Sequence, residues 1–534
     1  MSHSEYAHMP PSLRKRFYEP VILLNALRSV YLKDNRISEP DLEGSQGKSP
    51  KETYFCFLNK LSQICDSQPK QPLGKTVSAI VALDSGTIEF RLASNQRDSR
   101  ELDTVREYLT DILEVLGRVT DHEVNDKAFM GTVFSGILQK VLAFNRPRVE
   151  DYMAALVPAN RLPFCIEYSA ADGTSEGKIA ADALRSLQPH LEAAVDKPRL
   201  NDDEFARHTE ALLQTINQHY ESSPLEEYMK QKTRGHNNAD SPWSEVRHAL
   251  GRLLSYFIAI KVLISARKFW PRLFVDFEVT SIPSSEPLAD PPAIRRNAKG
   301  IISRMSRNKA TLDAYQRHAA HLQAHHLDER IRDHVHPSRF RPIVHAEVNL
   351  LASVLRSQAA AEHEGEDPLR FFNEAEFGAY IGSSKPTCFL CRAYFAKHPS
   401  GVGCRATHGN LYGNWRAPEA DTDEGAAEQR EILEGMVKEV RNEAGRAIRE
   451  RSYTRRKHDS RDTPSNPLGS TTVGDTSVGR WEDLDELASR MGQVSLDVSS
   501  TRGWSDDSRE TSPDSPGHGE DNDEEDDDGG GAKL

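Results

Sequence analysis

Two short motifs carry the residue types of a metal centre. In the first, His345 precedes Glu347 by two residues, and in the second, 43 positions after the histidine, Cys388 and Cys391 form a Cys-x-x-Cys pair. A zinc ion that activates water needs three protein ligands and one open coordination position. One imidazole and two thiolates supply those ligands and leave Glu347 free to carry protons. The pattern predicts a zinc site that generates hydroxide near neutral pH.

The same cysteines also allow a structural zinc site. Cys404 and His408 follow Cys391, so the four residues have the spacing C-x2-C-x12-C-x3-H, which is close to that of a zinc finger. Finger knuckles place Cys-x-x-Cys in a hairpin, whereas residues 392–397 continue a helical pattern. A finger also leaves the His-x-Glu motif without a role. The catalytic interpretation is therefore favoured, with Cys404 as a buried residue on a strand.

The elements around the two motifs fit a shared centre. Residues 344–355 are apolar with helical spacing and hold His345 and Glu347 in their first turn. Residues 388–395 predict a second helix, and residues 377–381 predict the strand that precedes it and leads the chain to the site. Two helix N-termini would then point at the metal, where their partial positive charges favour thiolates and an ionised glutamate.

These motifs resemble those of the zinc-dependent cytidine deaminase-like superfamily. The runs YIGSSKPTC at 380–388 and HGNLYGNW at 408–415 look like the toxin-type nucleic acid/nucleotide deaminase branch that is expanded in filamentous fungi. The resemblance covers about residues 341–420. One departure is that Pro386 lies two residues before Cys388, where most members have the proline adjacent.

The resemblance implies zinc held by His345, Cys388 and Cys391, with Glu347 as the catalytic residue. In the superfamily this glutamate takes a proton from zinc-bound water, hydroxide attacks the amine-bearing carbon, and protons pass to the ring nitrogen and to leaving ammonia. We expect hydrolytic deamination of a nucleobase in a nucleotide or single-stranded nucleic acid, with cytosine as the first target and adenine as the second. The alternative is a zinc-stabilised helical interaction protein or a catalytically silent deaminase relative.

Six further side chains are candidates for substrate binding, because aromatic faces stack bases and amides read their edges. For two of them a structural role is equally open, since Trp415 could belong to the domain core and His408 could anchor a loop. The candidates are Ser384, Lys385, His408, Tyr412, Asn414 and Trp415.

Hydrophobic periodicity predicts helices and strands in an α/β arrangement, with a large, mainly α-helical N-terminal region and a disordered C-terminal tail. The resemblance implies that the sheet is a three-layer deaminase-like sheet with flanking helices. The predicted segments are a helical N-terminal segment at 1–72, a β-hairpin within 73–100 that is a candidate part of the deaminase sheet, a mainly helical region at 101–340 with a strand near 273–282, a zinc deaminase core at 341–420, a charged helix at 421–457 and a disordered acidic tail at 458–534.

Charge is unevenly distributed along the 534 residues, whose formal net charge is -13. Residues 501–534 hold twelve acidic against three basic residues, a net charge of -9, whereas residues 292–341 hold eleven Lys/Arg against four Asp/Glu, a net charge of +7. The basic segment could guide phosphate-bearing substrates towards the site, or be no more than a solvent-exposed basic helix. If it guides substrates, the acidic tail would compete for the same surface.

Six cysteines are too few for a disulfide scaffold. No secretory signal is predicted, and the longest apolar run, at 253–264, is too short to span a bilayer. We therefore expect an intracellular protein, cytoplasmic or nuclear, without a membrane partner. A protein partner could bind the amphipathic stretch at 481–494 or the acidic tail.

A histidine-rich stretch is a weaker metal candidate. His318, His321 and His325 have helical spacing, but no carboxylate or cysteine completes a site at an obvious distance along the chain. A solvent-exposed helix face is favoured there.

Overall fold

Helices make up most of the described chain. The computed structural model describes residues 10–31, 36–37, 49–68, 76–157, 161–195, 200–220, 224–233, 241–288, 292–365, 367, 369–453 and 455–456. The α-helices are α1 (Pro11–Tyr31), α2 (Pro50–Ile64), α3 (Ser99–Gly117), α4 (Lys127–Phe144), α5 (Arg146–Leu156), α6 (Arg161–Ala171), α7 (Ser175–Val195), α8 (Asp202–Tyr220), α9 (Pro224–Thr233), α10 (Pro242–Phe269), α11 (Ala298–Ile302), α12 (Lys309–His321), α13 (Leu327–His334), α14 (Ala346–Glu364), α15 (Glu374–Phe377), α16 (Phe389–Phe395) and α17 (Asp423–Glu450).

One mixed sheet of six strands runs through the described residues. The strands are β1 (Arg36–Ile37), β2 (Ser78–Asp84), β3 (Ile88–Ser94), β4 (Phe277–Ser281), β5 (Arg370–Phe371), β6 (Tyr380–Ser383), β7 (Gly403–Cys404) and β8 (Arg455–Arg456). Strands β4, β3, β2, β6 and β7 lie side by side in that order, with β5 also paired to β2, while β1 and β8 form a separate parallel pair. Strand β2 is antiparallel to β3 and β6, whereas β4 runs parallel to β3 and β7 runs parallel to β6. The hairpin and β4 therefore belong to the sheet that delivers the cysteine motif.

The strand predicted near 273–282 is shorter in the structure. Residues Pro271–Phe274 form a turn of 3-10 helix, and Asp276 has a φ of 54°. A non-glycine residue in this left-handed region interrupts extended backbone. Strand β4 consequently begins at Phe277, one residue after the interruption.

The sheet is covered by helices on both faces. Ala79, Val81 and Leu83 of β2 share a hydrophobic core with residues of α14 such as Val348. Because side chains alternate across a strand, the residues between them face the opposite side, where α2 packs against β2 and β6. The expected α/β organisation, a sheet with flanking helices, is confirmed at this level.

The described residues between β3 and β4 include the α-helices α3–α10, of which α10 is long and apolar. Helix α10 packs against α2, α4, α5, α6 and α8. It is long and apolar enough to cross a membrane, yet 94% of its apolar window is buried inside the protein. It is thus the central helix of this region, and its continuous apolar sequence reflects burial on all sides.

A second helical layer covers α16. Helix α17 packs against α1, α12 and α16, and its buried residues, among them Met436 and Val440, join the core that contains α14. All described residues fall within one compact unit, residues 1–488. The predicted acidic tail at 458–534 and the amphipathic stretch at 481–494 lie outside the described residues.

Candidate functional site

The two sequence motifs begin the two helices that meet at the site. His345 is the N-cap of α14, and Cys388 is the N-cap of α16, both with extended backbone. The Cys388 Sγ accepts a hydrogen bond from the Cys391 N–H at 3.4 Å. His345 makes no side-chain cap bond, and instead Asn95 Oδ1 accepts one from the Ala346 N–H at 2.7 Å. A residue from the end of β3 thus caps α14 and leaves the imidazole available for other partners.

The side chains of His345, Cys388 and Cys391 converge. His345 Nδ1 lies 3.6 Å from Cys388 Sγ and 3.4 Å from Cys391 Sγ, and all three donor atoms lie within 4.8 Å of one another. Within the described ranges this is the one group of three or more histidine, cysteine and acidic residues that could hold a metal ion.

The alternative zinc-finger set does not assemble. Neither Cys404 nor His408 belongs to the group, although both lie in described segments. The histidines of the 318–325 stretch form no such group either among the residues the structure describes. The geometry therefore favours the site formed with His345 over the structural site formed with Cys404.

Glu347 lies beside the three donors but outside their group. Its side chain is buried, one carboxylate oxygen accepts a hydrogen bond from Ser383 Oγ at 3.3 Å, and the other lies 3.8 Å from Cys391 Sγ. Burial raises the pKa of Glu347 above its ordinary value. The carboxyl group is thus placed to bind a proton next to the donor cluster.

The protonation of the donor cluster favours a thiolate. Burial disfavours the charged form of Cys388, but hydrogen bonds from Cys391 and the positive imidazole of His345 outweigh burial, so the pKa of Cys388 is lowered well below its ordinary value. Burial likewise opposes the charged form of His345, but Cys388 raises the pKa of the imidazole. A deprotonated sulfur is the form that binds metal ions.

The loop that connects β6 to α16 is held by side chains from distant parts of the chain. The Ser383 N–H donates to Asn59 Oδ1 at 3.0 Å, and Arg405 donates to the Ser383 carbonyl at 3.0 Å. These bonds fix Ser383, whose hydroxyl in turn orients Glu347.

Two predicted substrate residues in this loop contact a buried carboxylate instead of an open site. Ser384 Oγ donates to Asp66 Oδ2 at 2.9 Å, and Lys385 Nζ donates to the Thr76 carbonyl at 2.5 Å and lies 3.8 Å from Asp66. Both residues are at most 5% exposed. Their side chains therefore hold the loop from its inner side.

Two other predicted substrate residues have structural contacts. Trp415 is fully buried, with its ring centroid 5.6 Å from that of Phe17 and 5.8 Å from that of Tyr394, in keeping with the core position left open above. Asn414 hydrogen-bonds through its side chain to the backbone of Arg341 and Arg339, at 2.9 and 2.8 Å. The Asn414 backbone also hydrogen-bonds to the His345 ring. A backbone partner of this kind fixes the orientation of a ligating histidine.

The last two candidates lie together on the segment that follows β7. His408 is buried, its Nδ1 accepts the Asn410 N–H at 2.9 Å, and its backbone N–H donates to the carbonyl of Thr387. The ring of Tyr412 stands perpendicular to that of His408, with centroids 5.8 Å apart. The pair therefore lies next to the start of α16, because Thr387 precedes Cys388.

Sequence reasoning did not identify Asn59, Asp66 or Asn95. Each follows or lies within an ordinary helix or strand pattern, and none has a characteristic spacing to the motifs. The packing of α2 against β2 and β6 brings Asn59 and Asp66 near the site, and the pairing of β3 with β2 brings Asn95 there.

A family model described as "OTT_1508_deam:-like deaminase" matches residues 344–419. No curated protein and no solved structure matches the chain significantly. The matched segment contains His345, Glu347 and both cysteines of the converging group. The match and the converging His/Cys/Cys group therefore support a deaminase-like domain at residues 344–419.

Proposed function

We propose that this chain is a zinc-dependent hydrolytic deaminase that acts on a nucleobase, with cytosine as the first candidate, in a nucleotide or a nucleic acid. The observation that supports it most is the position of Glu347. Glu347 is buried, is not one of the three donor residues, and has a carboxylate oxygen 3.8 Å from Cys391 Sγ. This is a suitable position for a group that carries protons beside the open coordination position of a catalytic zinc site.

The donor set fits zinc. One imidazole nitrogen and two sulfurs are borderline-soft ligands of the kind zinc prefers, and three protein ligands leave a fourth position open. Zinc bound by His345, Cys388 and Cys391 would supply Lewis acidity and lower the pKa of a water molecule towards neutrality.

Glu347 would move the protons of the reaction. Hydrolytic deamination consumes one water, breaks the bond between the ring carbon and the amino group, and releases ammonia. The carboxylate oxygen that faces Cys391 would accept a proton from the attacking water and deliver it to the ring nitrogen, while Ser383 holds the other oxygen. Glu347 would then accept the remaining proton of the attacking water and pass it to the amino group, which would leave as ammonia while the ring carbon becomes a carbonyl.

The position of two basic residues supports a phosphate-bearing substrate. Arg339 and Arg341 are exposed residues of the basic segment 292–341, and Asn414 binds the backbone of both. Since Asn414 also contacts the His345 ring, this part of the basic segment lies next to the histidine of the donor group. A phosphate near this edge would interact favourably with Arg341, whereas Arg339 already pairs with Asp333.

The test is ammonia release by the purified full chain, screened across nucleosides, nucleotides and single-stranded DNA and RNA that contain cytosine or adenine. The variant Glu347→Gln should keep one equivalent of zinc and lose activity by about 10²–10⁴-fold. Glu362→Gln is the matched control, because Glu362 is exposed on the same helix. Zinc-loaded wild-type protein that releases no ammonia from any substrate would instead support the silent relative or interaction protein.

A further inference from the structure

Four basic side chains lie buried on the inner side of the loop that leads to Cys388. Arg97, Arg148, Arg252 and Lys385 are 3–5% exposed and come from four separate parts of the chain. They are called the cationic cluster below. Burying so many charges is costly unless each one is paired.

The members of the cluster are connected through Asp66 and its neighbours. Arg148 Nη1 lies 2.6 Å from Asp66 Oδ2, Lys385 Nζ lies 3.8 Å from the same oxygen, and Arg97 donates to the hydroxyl of the adjacent Ser67 at 3.2 Å.

Arg252 joins the cluster from α10. It donates to Tyr152 Oη at 3.4 Å, and Tyr152 lies one helical turn after Arg148 on α5. Arg148 and Arg252 thus connect α5 and α10 to the end of α2, where Asp66 and Ser67 contact Lys385 and Arg97.

The charges of this region do not balance. Within the described residues, Asp66 is the only buried carboxylate that bonds to the cationic cluster, while Glu101 acts on Arg97 at longer range. The sequence of 69–75, which connects Gln68 to Thr76 beside Arg148, contains two lysines and no acidic residue. Among the described residues, four buried cations therefore face one buried carboxylate.

Several donors of the cluster also have no partner. Arg97 Nη1, Arg148 Nε and Arg252 Nη2 are buried and have no hydrogen-bond partner among the residues the structure describes, and the same holds for the neighbouring Tyr256 Oη. Buried polar groups are nearly always satisfied in native proteins. Internal water would satisfy these donors but would not neutralise the charge.

The electrostatics of the neighbouring groups agree with this excess. Burial would raise the pKa of Tyr152, yet Arg252 and Arg148 outweigh burial and lower it. Burial lowers the pKa of Arg97, whereas Arg148 is equally buried and Asp66 helps to raise its pKa. The lowered pKa of Tyr152 therefore indicates a positive potential around its hydroxyl group.

We propose that the cationic cluster binds a phosphate-bearing anion in the interior of the protein. Guanidinium groups match the geometry of phosphate oxygens with paired hydrogen bonds, and three of the four cations are arginines with an unpartnered donor. The anion is a structural ligand that neutralises the cluster, and its binding does not depend on the deaminase activity. Because Lys385 belongs to both the cluster and the loop before Cys388, the anion also stabilises the loop that carries the metal ligand.

The test measures phosphorus in the protein itself. The full chain is purified and extensively dialysed in buffers without phosphate, then denatured, and the released solution is measured by elemental analysis and by phosphorus NMR. We expect about one phosphate-bearing molecule per chain, and the spectrum distinguishes inorganic phosphate from an organic phosphate ester. Dialysed, folded protein without phosphorus above the buffer blank would overturn the proposal.

A pair of variants on one helix locates the anion. Arg252→Met should lose the phosphorus, whereas Arg267→Met should keep it, because Arg267 is similarly buried on α10 but donates to the carbonyls of Leu116 and Val119. Phosphorus is measured only on protein that elutes as a folded monomer or oligomer, and the wild-type measurement stands even if a variant fails to fold. Loss from the control variant alone, or from neither, would contradict the location. Ammonia release is assayed separately, so failure of the deaminase proposal leaves this result unaffected.

Discussion

Two buried carboxylates beside the loop 383–388 have opposite pKa shifts because their nearest neighbours differ. Glu347 contacts a hydroxyl and a thiol, so burial dominates and raises its pKa. Burial would also raise the pKa of Asp66, but Arg148 and Lys385 outweigh it and lower that pKa. Asp66 therefore remains ionised and structural, while Glu347 can hold a proton for chemistry.

The stability that Asp66 provides should depend on pH. Its pKa in the folded protein is lowered from 3.8, so its contribution is complete above that value and disappears as pH falls through the folded pKa. Asp66→Asn should cost about 3–5 kcal/mol of unfolding free energy at pH 7, because it leaves buried cations unpaired, and less near pH 3. Urea unfolding at both pH values measures the difference.

Asp202→Asn is the control for that experiment. Asp202 pairs with Arg146, which lies on α5 like Arg148. Because Asp202 is 68% exposed, its loss should lower the free energy of unfolding by less than about 1 kcal/mol. A cost for Asp66→Asn that does not change between pH 7 and pH 3 would contradict the assignment of the ionised pair.

Zinc content should separate the two candidate ligand sets. His345→Ala should lose zinc, because its Nδ1 lies within 3.6 Å of both sulfurs, whereas Cys404→Ala should keep one equivalent. Elemental analysis of dialysed protein measures both variants. Retention by His345→Ala together with loss by Cys404→Ala would establish the zinc-finger set and exclude the proposed catalytic site.

The three donor residues could be predicted from the sequence, whereas the residues that hold them and the neighbouring loop in place could not. The close spacing within each motif, His345 with Glu347 and Cys388 with Cys391, and the donor chemistry of these residues predict a metal centre without any tertiary information. Spacing does not show which side of a loop faces a cavity, which is why Ser384 and Lys385 were candidates for substrate and yet contact Asp66.

At the scale of elements, the start of α14 depends on a residue from another strand. Asn95→Ala would leave the buried Ala346 N–H without its acceptor, at a cost of about 1–3 kcal/mol, and would loosen the backbone at His345. We expect weaker zinc binding as well as lower stability. Competition with a zinc chelator measures the affinity, and thermal unfolding measures the stability.

Asp126→Ala is the control variant for Asn95→Ala. Asp126 caps α4 by accepting from Ala128 and Phe129, so its removal should cost about 1 kcal/mol and leave zinc affinity unchanged. Equal zinc affinity in both variants would show that the Asn95 cap does not position the histidine.

The contact between α2 and β6 leaves no room for a side chain at Gly382. A Cβ there would lie 2.5–2.6 Å from the backbone of Leu58. Gly382→Ala should destabilise the protein by about 1–3 kcal/mol and displace β6, which carries Ser383 towards Glu347. Chemical denaturation measures the change.

Gly136→Ala is the control variant, and it should increase the stability of the protein. Gly136 lies inside α4 with no atom within 4 Å of an added Cβ, so alanine should stabilise the helix by up to about 1 kcal/mol. A Gly382→Ala protein as stable as wild type would show that α2 can move away from β6.

Most elements were predictable from periodicity, while the sheet order was not. The hairpin at β2 and β3 and the long helix α10 have strong local patterns. The pairing of β4 with β3 depends on the intervening helices, and β4 is shortened by the positive φ of Asp276, which apolar spacing does not reveal.

At the scale of the whole molecule, charge distribution predicts an effect of the acidic residues 501–534. Their net charge of -9 would compete with nucleic acid for the basic segment of +7. Deleting them should tighten binding to single-stranded nucleic acid at low salt. The difference should vanish above about 0.5 M salt, where charges are strongly screened. Fluorescence anisotropy measures both proteins, and equal affinity at low salt would reject the competition.

Helices α3–α10 separate β3 from β4 along the chain, so the sheet assembles from segments that are far apart in sequence. Hydrogen bonds at the site join residues that are 190, 251 and 306 positions apart. During synthesis the hairpin leaves the ribosome long before its partner β6 exists, whereas neighbouring helices such as α6 and α7 contact each other at once. Local helices should therefore form first and the sheet last, so refolding of the metal centre should be slow compared with the gain of helical signal.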